Sequence, residues 1–130
     1  MSLEEAQEAA LDEHNRLRAF HEGTESLKLS ADLCEEAQVR IRTLPRFFLN
    51  FRLKAYAELL MNQDRFEHAD DLDGIGENLA SGWNTSETIV DEAKRSTKGW
   101  YDEIEFYDYG NPVFASETGH FTQVIDYIID

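Results

Sequence analysis

The chain has 130 residues, of which 42% are apolar and 12% aromatic, and a formal net charge of −15. This length and apolar content fit a single globular domain with its own core, and argue against a disordered segment or two domains. The negative charge makes nucleic acid a poor partner, because phosphate neutralisation needs a basic surface, and no apolar run approaches the roughly 20 residues that span a bilayer.

The acidic start, Met1-Ser2-Leu3-Glu4-Glu5, reads as a helix and not as a signal peptide. Ser2 and Glu5 have capping-box spacing. Leu3, Ala6, Ala10, Leu17 and Phe20 then keep helical spacing, and His14 on the same stripe reads as a half-buried packing residue. Gly23 offers a stop, so this helix is expected to end around 21–24.

Ser30 can cap a second helix whose stripe begins at Leu33 and Ala37. The character then changes. Residues 39–54 hold Arg40, Arg42, Arg46, Arg52 and Lys54 with Phe47, Phe48 and Phe51, no acidic residue, and the helix-breaking Pro45. Joining Gln38 to Ala55 would let Tyr56 and Leu59 continue the earlier stripe, so the segment reads as an insert that splits one amphipathic helix. A basic, aromatic insert suits a membrane surface, or it is an extra exon; Pro45 and the uneven apolar spacing favour the second reading.

Residues 65–76 are acidic and turn-rich, with His68, Asp70, Asp71 and Asp73. They fail as an EF-hand, because Ala69 and Ala80 would fall at the first and twelfth loop positions. The pair Gly74 and Gly76 is too little for a phosphate loop. Glu77-Asn78-Leu79-Ala80 is expected as a short strand or buried turn. Thr85 or Ser86 opens another helix, with Val90, Ala93, Thr97, Trp100 and Ile104 on its apolar face and Glu103 at the border. A polar, aromatic loop follows at 107–112. The β-branched run 119–125, with His120 near its start, reads as a strand. Cys34 is the sole cysteine, which precludes an intramolecular disulfide and points to a reducing compartment.

His14-Asn15-Arg16-Leu17-Arg18, Gly76-Glu77-Asn78-Leu79-Ala80, Trp100-Tyr101-Asp102-Glu103 and Thr118-Gly119-His120-Phe121-Thr122-Gln123-Val124, in this order, resemble the CAP superfamily of cysteine-rich secretory, antigen 5 and pathogenesis-related proteins. Without paired cysteines the chain looks most like the Golgi-associated plant pathogenesis-related subgroup. The resemblance implies an α+β fold, the CAP-type α-β-α sandwich, here a single domain over 1–130 interrupted at 39–54 and lacking its C-terminal strands. It also implies a cavity lined by His68, Glu77, Glu103 and His120. Two imidazoles and two carboxylates suit Zn²⁺ or a similar divalent cation, and they equally suit a buried polar cluster without metal.

For function, the resemblance implies a non-enzymatic domain that binds lipid, sterol or a membrane surface, with the lipid loop carried over to Tyr107, Tyr109, Pro112 and Phe114. A metal-dependent hydrolase or protease is the alternative, but neither Gly-x-Ser-x-Gly nor His-Glu-x-x-His is present. A self-associating protein, such as a homodimer pairing exposed sheet edges, or a non-functional truncated variant are the others. The expected location is cytoplasmic and peripheral on Golgi membrane, with extracellular as the runner-up from the wider family.

Overall fold

A computed structural model describes residues 2–35, 76, 78, 80 and 87–125 of the chain. Helix α1 runs Leu3–Arg18 and starts as its sequence dictates: Ser2 Oγ accepts from the Glu5 amide at 3.2 Å, and the Glu5 carboxylate accepts from the Ser2 amide. It ends earlier than expected, at Arg18, with Ala19 as C-cap. Phe20 therefore leaves the stripe and stands 69% exposed beside the Arg16 guanidinium. Gly23, at φ 79°, makes the following turn, a conformation that few other residues adopt without strain.

Helix α2, Ile89–Tyr101, is capped by Thr88, whose Oγ1 accepts from the Asp91 amide at 3.1 Å. The expected caps Thr85 and Ser86 lie outside the described residues. α1 and α2 form the most extensive helix pairing, and the residues at their interface explain why. Ala10 and Ala93 are fully buried and bring the two backbones close. Thr97, also fully buried, turns its hydroxyl back to the Ala93 carbonyl at 2.9 Å, which satisfies it inside its own helix.

Residues 31–35 are helical, with Ser30 Oγ accepting from the Leu33 amide at 3.4 Å, as the capping pattern predicts. The insert at 39–54 lies outside the described residues. After α2 the chain tightens into a 3-10 turn at Asp102–Phe106, and a second 3-10 turn at Ser116–Thr118 packs against it.

Residues 119–125 form a helix, α3 (Gly119–Ile125), and not the strand expected from their β-branched composition. Phe121, Val124 and Ile125 are at most 2% exposed, and their three-and-one spacing puts them on one helical face against Trp100. A strand would send Phe121 and Val124 to opposite sides. Tertiary burial has outweighed local propensity. The regular structure among the described residues is thus entirely helical, and the sheet of the expected α+β sandwich is not found among them.

Candidate functional site

The core of Trp100, Phe121, Val124 and Ile125 sets the position of His120. Trp100 is held at the end of α2, and its indole stacks on the His120 ring with centroids 6.2 Å apart and planes 28° from parallel. On its other contact the same indole meets His14 of α1, again at 6.2 Å.

Glu103, in the 3-10 turn after α2, makes three hydrogen bonds to the start of α3, two of them to His120. Its Oε1 lies 2.6 Å from His120 Nδ1, while its Oε2 accepts from the amides of His120 and Phe121 at 2.9 and 3.1 Å. A carboxylate only accepts, so Nδ1 carries a proton, and in the neutral form of the ring Nε2 is the electron-pair donor. The two amides belong to the first turn of α3, whose N–H groups have no partner within the helix. Glu103 therefore caps a helix from another part of the chain, with its negative charge at the positive end of the dipole.

Asn78, 2% exposed, donates from Nδ2 to the His120 carbonyl at 3.1 Å and is thereby tied to α3. Gly76 lies against the Gln123 side chain, and a Cβ there would overlap the amide group. At the far end of α3, the buried Arg18 donates from Nη1 to the Val124 carbonyl at 2.9 Å and from Nε to the Glu25 carbonyl at 2.7 Å. Asn15 closes the neighbouring loop with a reciprocal pair, accepting from the Leu27 amide at 2.7 Å and donating to the Leu27 carbonyl at 3.1 Å.

His14 is buried, at 3% exposure, and not half-buried as its place on the stripe suggests. Its Nδ1 donates to the Ala10 carbonyl at 2.8 Å, and burial lowers its pKa to about 4. His21 meets the Tyr101 hydroxyl through Nε2 at 2.9 Å, with its pKa lowered by burial and then by Arg18.

Of the four residues expected around the cavity, Glu103 and His120 meet directly, while His68 and Glu77 lie outside the described residues. No group of three or more His, Cys, Asp or Glu side chains able to hold a metal ion converges among the described residues. The residues that fit a cation best are not the pair as a whole. Glu103 has both oxygens engaged, so it suits orienting His120, and Nε2 of His120 is the atom suited to a metal.

The loop expected to meet lipid is open at its tip. Phe106, Tyr109, Val113 and Phe114 are 69%, 57%, 53% and 71% exposed, and Pro112 is exposed as well. Tyr107 differs: its ring packs inward on Phe121 at 5.3 Å and against Tyr109 at 4.9 Å. Phe106 and Val113 were not singled out from sequence, although a run of apolar residues around Tyr107–Phe114 was a signal for them. Arg18 and Asn78 were also missed. Arg18 stands four residues after His14 and so shares its buried stripe, a cue that charge obscured.

The sequence pattern of the Cysteine-rich secretory protein family (CAP) matches residues 11–127. The chain belongs to this family, and the His120 pairing just described lies in the matched region. It is 34% identical over 115 residues to Protein PRY2 of Saccharomyces cerevisiae, covering 88% of this chain and 27% of that protein. It is 33% identical over 118 residues to Repressed by EFG1 protein 1 of Candida albicans, covering 91% and 35%. Against the human Golgi-associated plant pathogenesis-related protein 1 it is 32% identical over 117 residues, covering 88% of this chain and 62% of that one. The chain thus spans between about a quarter and three-fifths of the relatives it matches. No helix among the described residues is long and apolar enough to cross a membrane.

Proposed function

We propose that the chain is a non-enzymatic CAP domain that binds lipid or sterol at a membrane surface through the loop 106–114. One observation carries this reading: four large apolar side chains stand exposed on a single loop beside the His120–Glu103 pair. A methyl group placed on Gly119 would lie 3.4 Å from the Phe114 ring, so the loop abuts the start of the site helix. Apolar side chains held out by a packed base favour insertion into an interface, since exposure to water costs them burial energy that lipid returns. A peripheral Golgi location accords with the name of the human relative.

Vesicle co-sedimentation tests the proposal. Replacing both Phe106 and Phe114 with Ser is expected to weaken binding to phosphatidylcholine–sterol vesicles about a hundredfold, on the basis of two exposed aromatics at roughly 1.5 kcal/mol each. Unchanged binding by a folded double variant would remove the loop from the function.

The His120 imidazole gives the domain a second ability, coordination of Zn²⁺ or a similar cation through Nε2 with Glu103 orienting the ring. A bound cation would supply a fixed positive charge next to the loop. Because a ligating histidine must be neutral, affinity is expected to fall as pH drops through the range where imidazole protonates. Calorimetric titration with Zn²⁺ is expected to give a binding isotherm that His120→Ala abolishes; identical isotherms for the two chains would place the metal elsewhere.

A further inference from the structure

Within the loop, two rings are arranged in a way that exposure of apolar surface does not explain. Tyr107 and Tyr109 have centroids 4.9 Å apart and planes at 85°, so the edge of one meets the face of the other. In such a pair the ring presenting its edge keeps its own faces clear of its partner, and the two planes form a corner. Tyr107 is the fixed wall: it is half-buried, and its ring packs at 5.3 Å on Phe121, a fully buried core residue. Tyr109 is the outer wall, 57% exposed in the turn. Between them Asp108 Oδ1 accepts from the Gly110 amide at 2.8 Å, which tightens the backbone on either side of Tyr109. The corner is thus set by the core at one wall and by the turn at the other, before any ligand arrives.

The charge near this corner has one sign. Glu105, Asp108 and Glu117 are exposed, and no Lys or Arg occurs between residues 99 and 125. Lys98, just before this stretch, is engaged with Asp102 at 2.6 Å. An aromatic face is the negative side of the ring quadrupole, so rings and carboxylates here favour the same kind of ligand, a cation. Its chemistry follows from the rings. A compact, strongly hydrated ammonium favours carboxylates and water, whereas a quaternary ammonium has no N–H to donate and spreads its charge over methyl groups that rest on aromatic faces. At a membrane surface that group is choline. The exposed Phe106, Val113 and Phe114 of the same loop suit the apolar region beneath such a headgroup.

We infer that the Tyr107–Tyr109 corner is a subsite for a quaternary ammonium group, supplied by the choline headgroup of a lipid. This assignment rests on the membrane reading of the loop and adds to it the class of lipid. Tyr109 provides the face over the ammonium, Tyr107 holds that face in place, and the nearby carboxylates provide a negative field. The field by itself does not choose between headgroups of equal net charge; the rings do.

A titration without lipid isolates the corner. Choline chloride is added to the full chain and followed through the ring protons of Tyr107 and Tyr109, beside the neutral analogue of choline in which tert-butyl replaces trimethylammonium. Choline is expected to shift these resonances saturably and the analogue is not. Tyr109→Leu, with folding checked by amide dispersion, is expected to weaken choline binding about two- to fivefold, the range of an exposed cation–π contact, while Tyr109→Phe retains it. Absence of a saturable shift, equal shifts by the neutral analogue, or undiminished choline binding in folded Tyr109→Leu would each overturn the inference. Co-sedimentation then tests the source, using mixed vesicles rich in phosphatidylcholine or in phosphatidylethanolamine with matched acyl chains. Both headgroups are zwitterionic, so the acidity of the protein does not separate them. The unaltered chain is expected to prefer the choline vesicles by about two- to fivefold, and Tyr109→Leu to bind the two kinds alike. Binding of the unaltered chain to both kinds alike would overturn the choline assignment and leave the membrane reading standing. Binding to neither would overturn the membrane reading, and the lipid source with it, even where free choline still shifts the rings.

Discussion

His14 carries the clearest residue-scale consequence. Its ring sits between α1 and α2 at 3% exposure, donates to the Ala10 carbonyl, and lies 3.4 Å from the Thr97 hydroxyl and 6.2 Å from the Trp100 ring. Burial disfavours the imidazolium and holds the pKa at about 4, against an ordinary value of 6.5. A histidine that protonates more easily when unfolded pulls the equilibrium toward the unfolded state at low pH. Its contribution is therefore constant above about pH 6.5, declines between about 6.5 and 4, and levels off below. Urea unfolding at about pH 7.5 and pH 5 is expected to show a loss of roughly 2 kcal/mol from this residue. The slope should diminish by that amount in His14→Gln, and an equal slope in both chains would mean that other groups govern acid stability. His21, lowered in the same direction, adds a smaller part with the same sign.

At the scale of an element, α3 is the informative case. A helix of seven residues is too short to persist by itself, because nucleation costs more than so few hydrogen bonds return. It is held at both ends by charges from other elements: Glu103 receives two first-turn amides, and Arg18 donates to the Val124 carbonyl. Each charge matches the helix dipole at its end. Arg18→Met is expected to cost about 2–4 kcal/mol in urea unfolding, since it strands the buried Val124 carbonyl and removes the bond to the Glu25 carbonyl. Arg18→Lys, with fewer donors and no planar fork, should recover only part of that. Carbon chemical shifts over 119–125 are expected to be helical in the unaltered chain. Strand-like shifts there would contradict the packing of Phe121, Val124 and Ile125 on one face.

For the whole molecule the governing quantity is charge distribution. A net charge of −15, with Glu105, Asp108 and Glu117 exposed near the aromatic loop, repels anionic headgroups. In the vesicle experiment, binding through the loop should accordingly be stronger for neutral phosphatidylcholine–sterol than for vesicles doped with phosphatidylserine, and salt should narrow the difference. The basic residues 39–54 are the one local exception to the acidic composition.

Local rules were sufficient wherever the signal was a short-range one. Capping at Ser2 and Ser30 and the buried faces of α1 and α2 could be read from residue order, because caps and amphipathic stripes depend on neighbours within a turn or two, whereas Glu103 and His120 were named through the family resemblance. Three features could not. Phe20 falls off its stripe because α1 stops at Arg18, where the chain turns at Gly23 and Asn15 grips Leu27. His14 and Arg18 are buried although their types favour exposure, because carbonyls supplied by Ala10, Glu25 and Val124 satisfy them. Residues 119–125 are β-branched and alternate like a strand, yet they are helical because Trp100 covers a helical face and Glu103 and Arg18 hold its ends. What the sequence determined by itself was the family and the caps. Only the tertiary structure decided the form of the segment that carries His120, because a two-turn helix exists solely through partners distant in the chain.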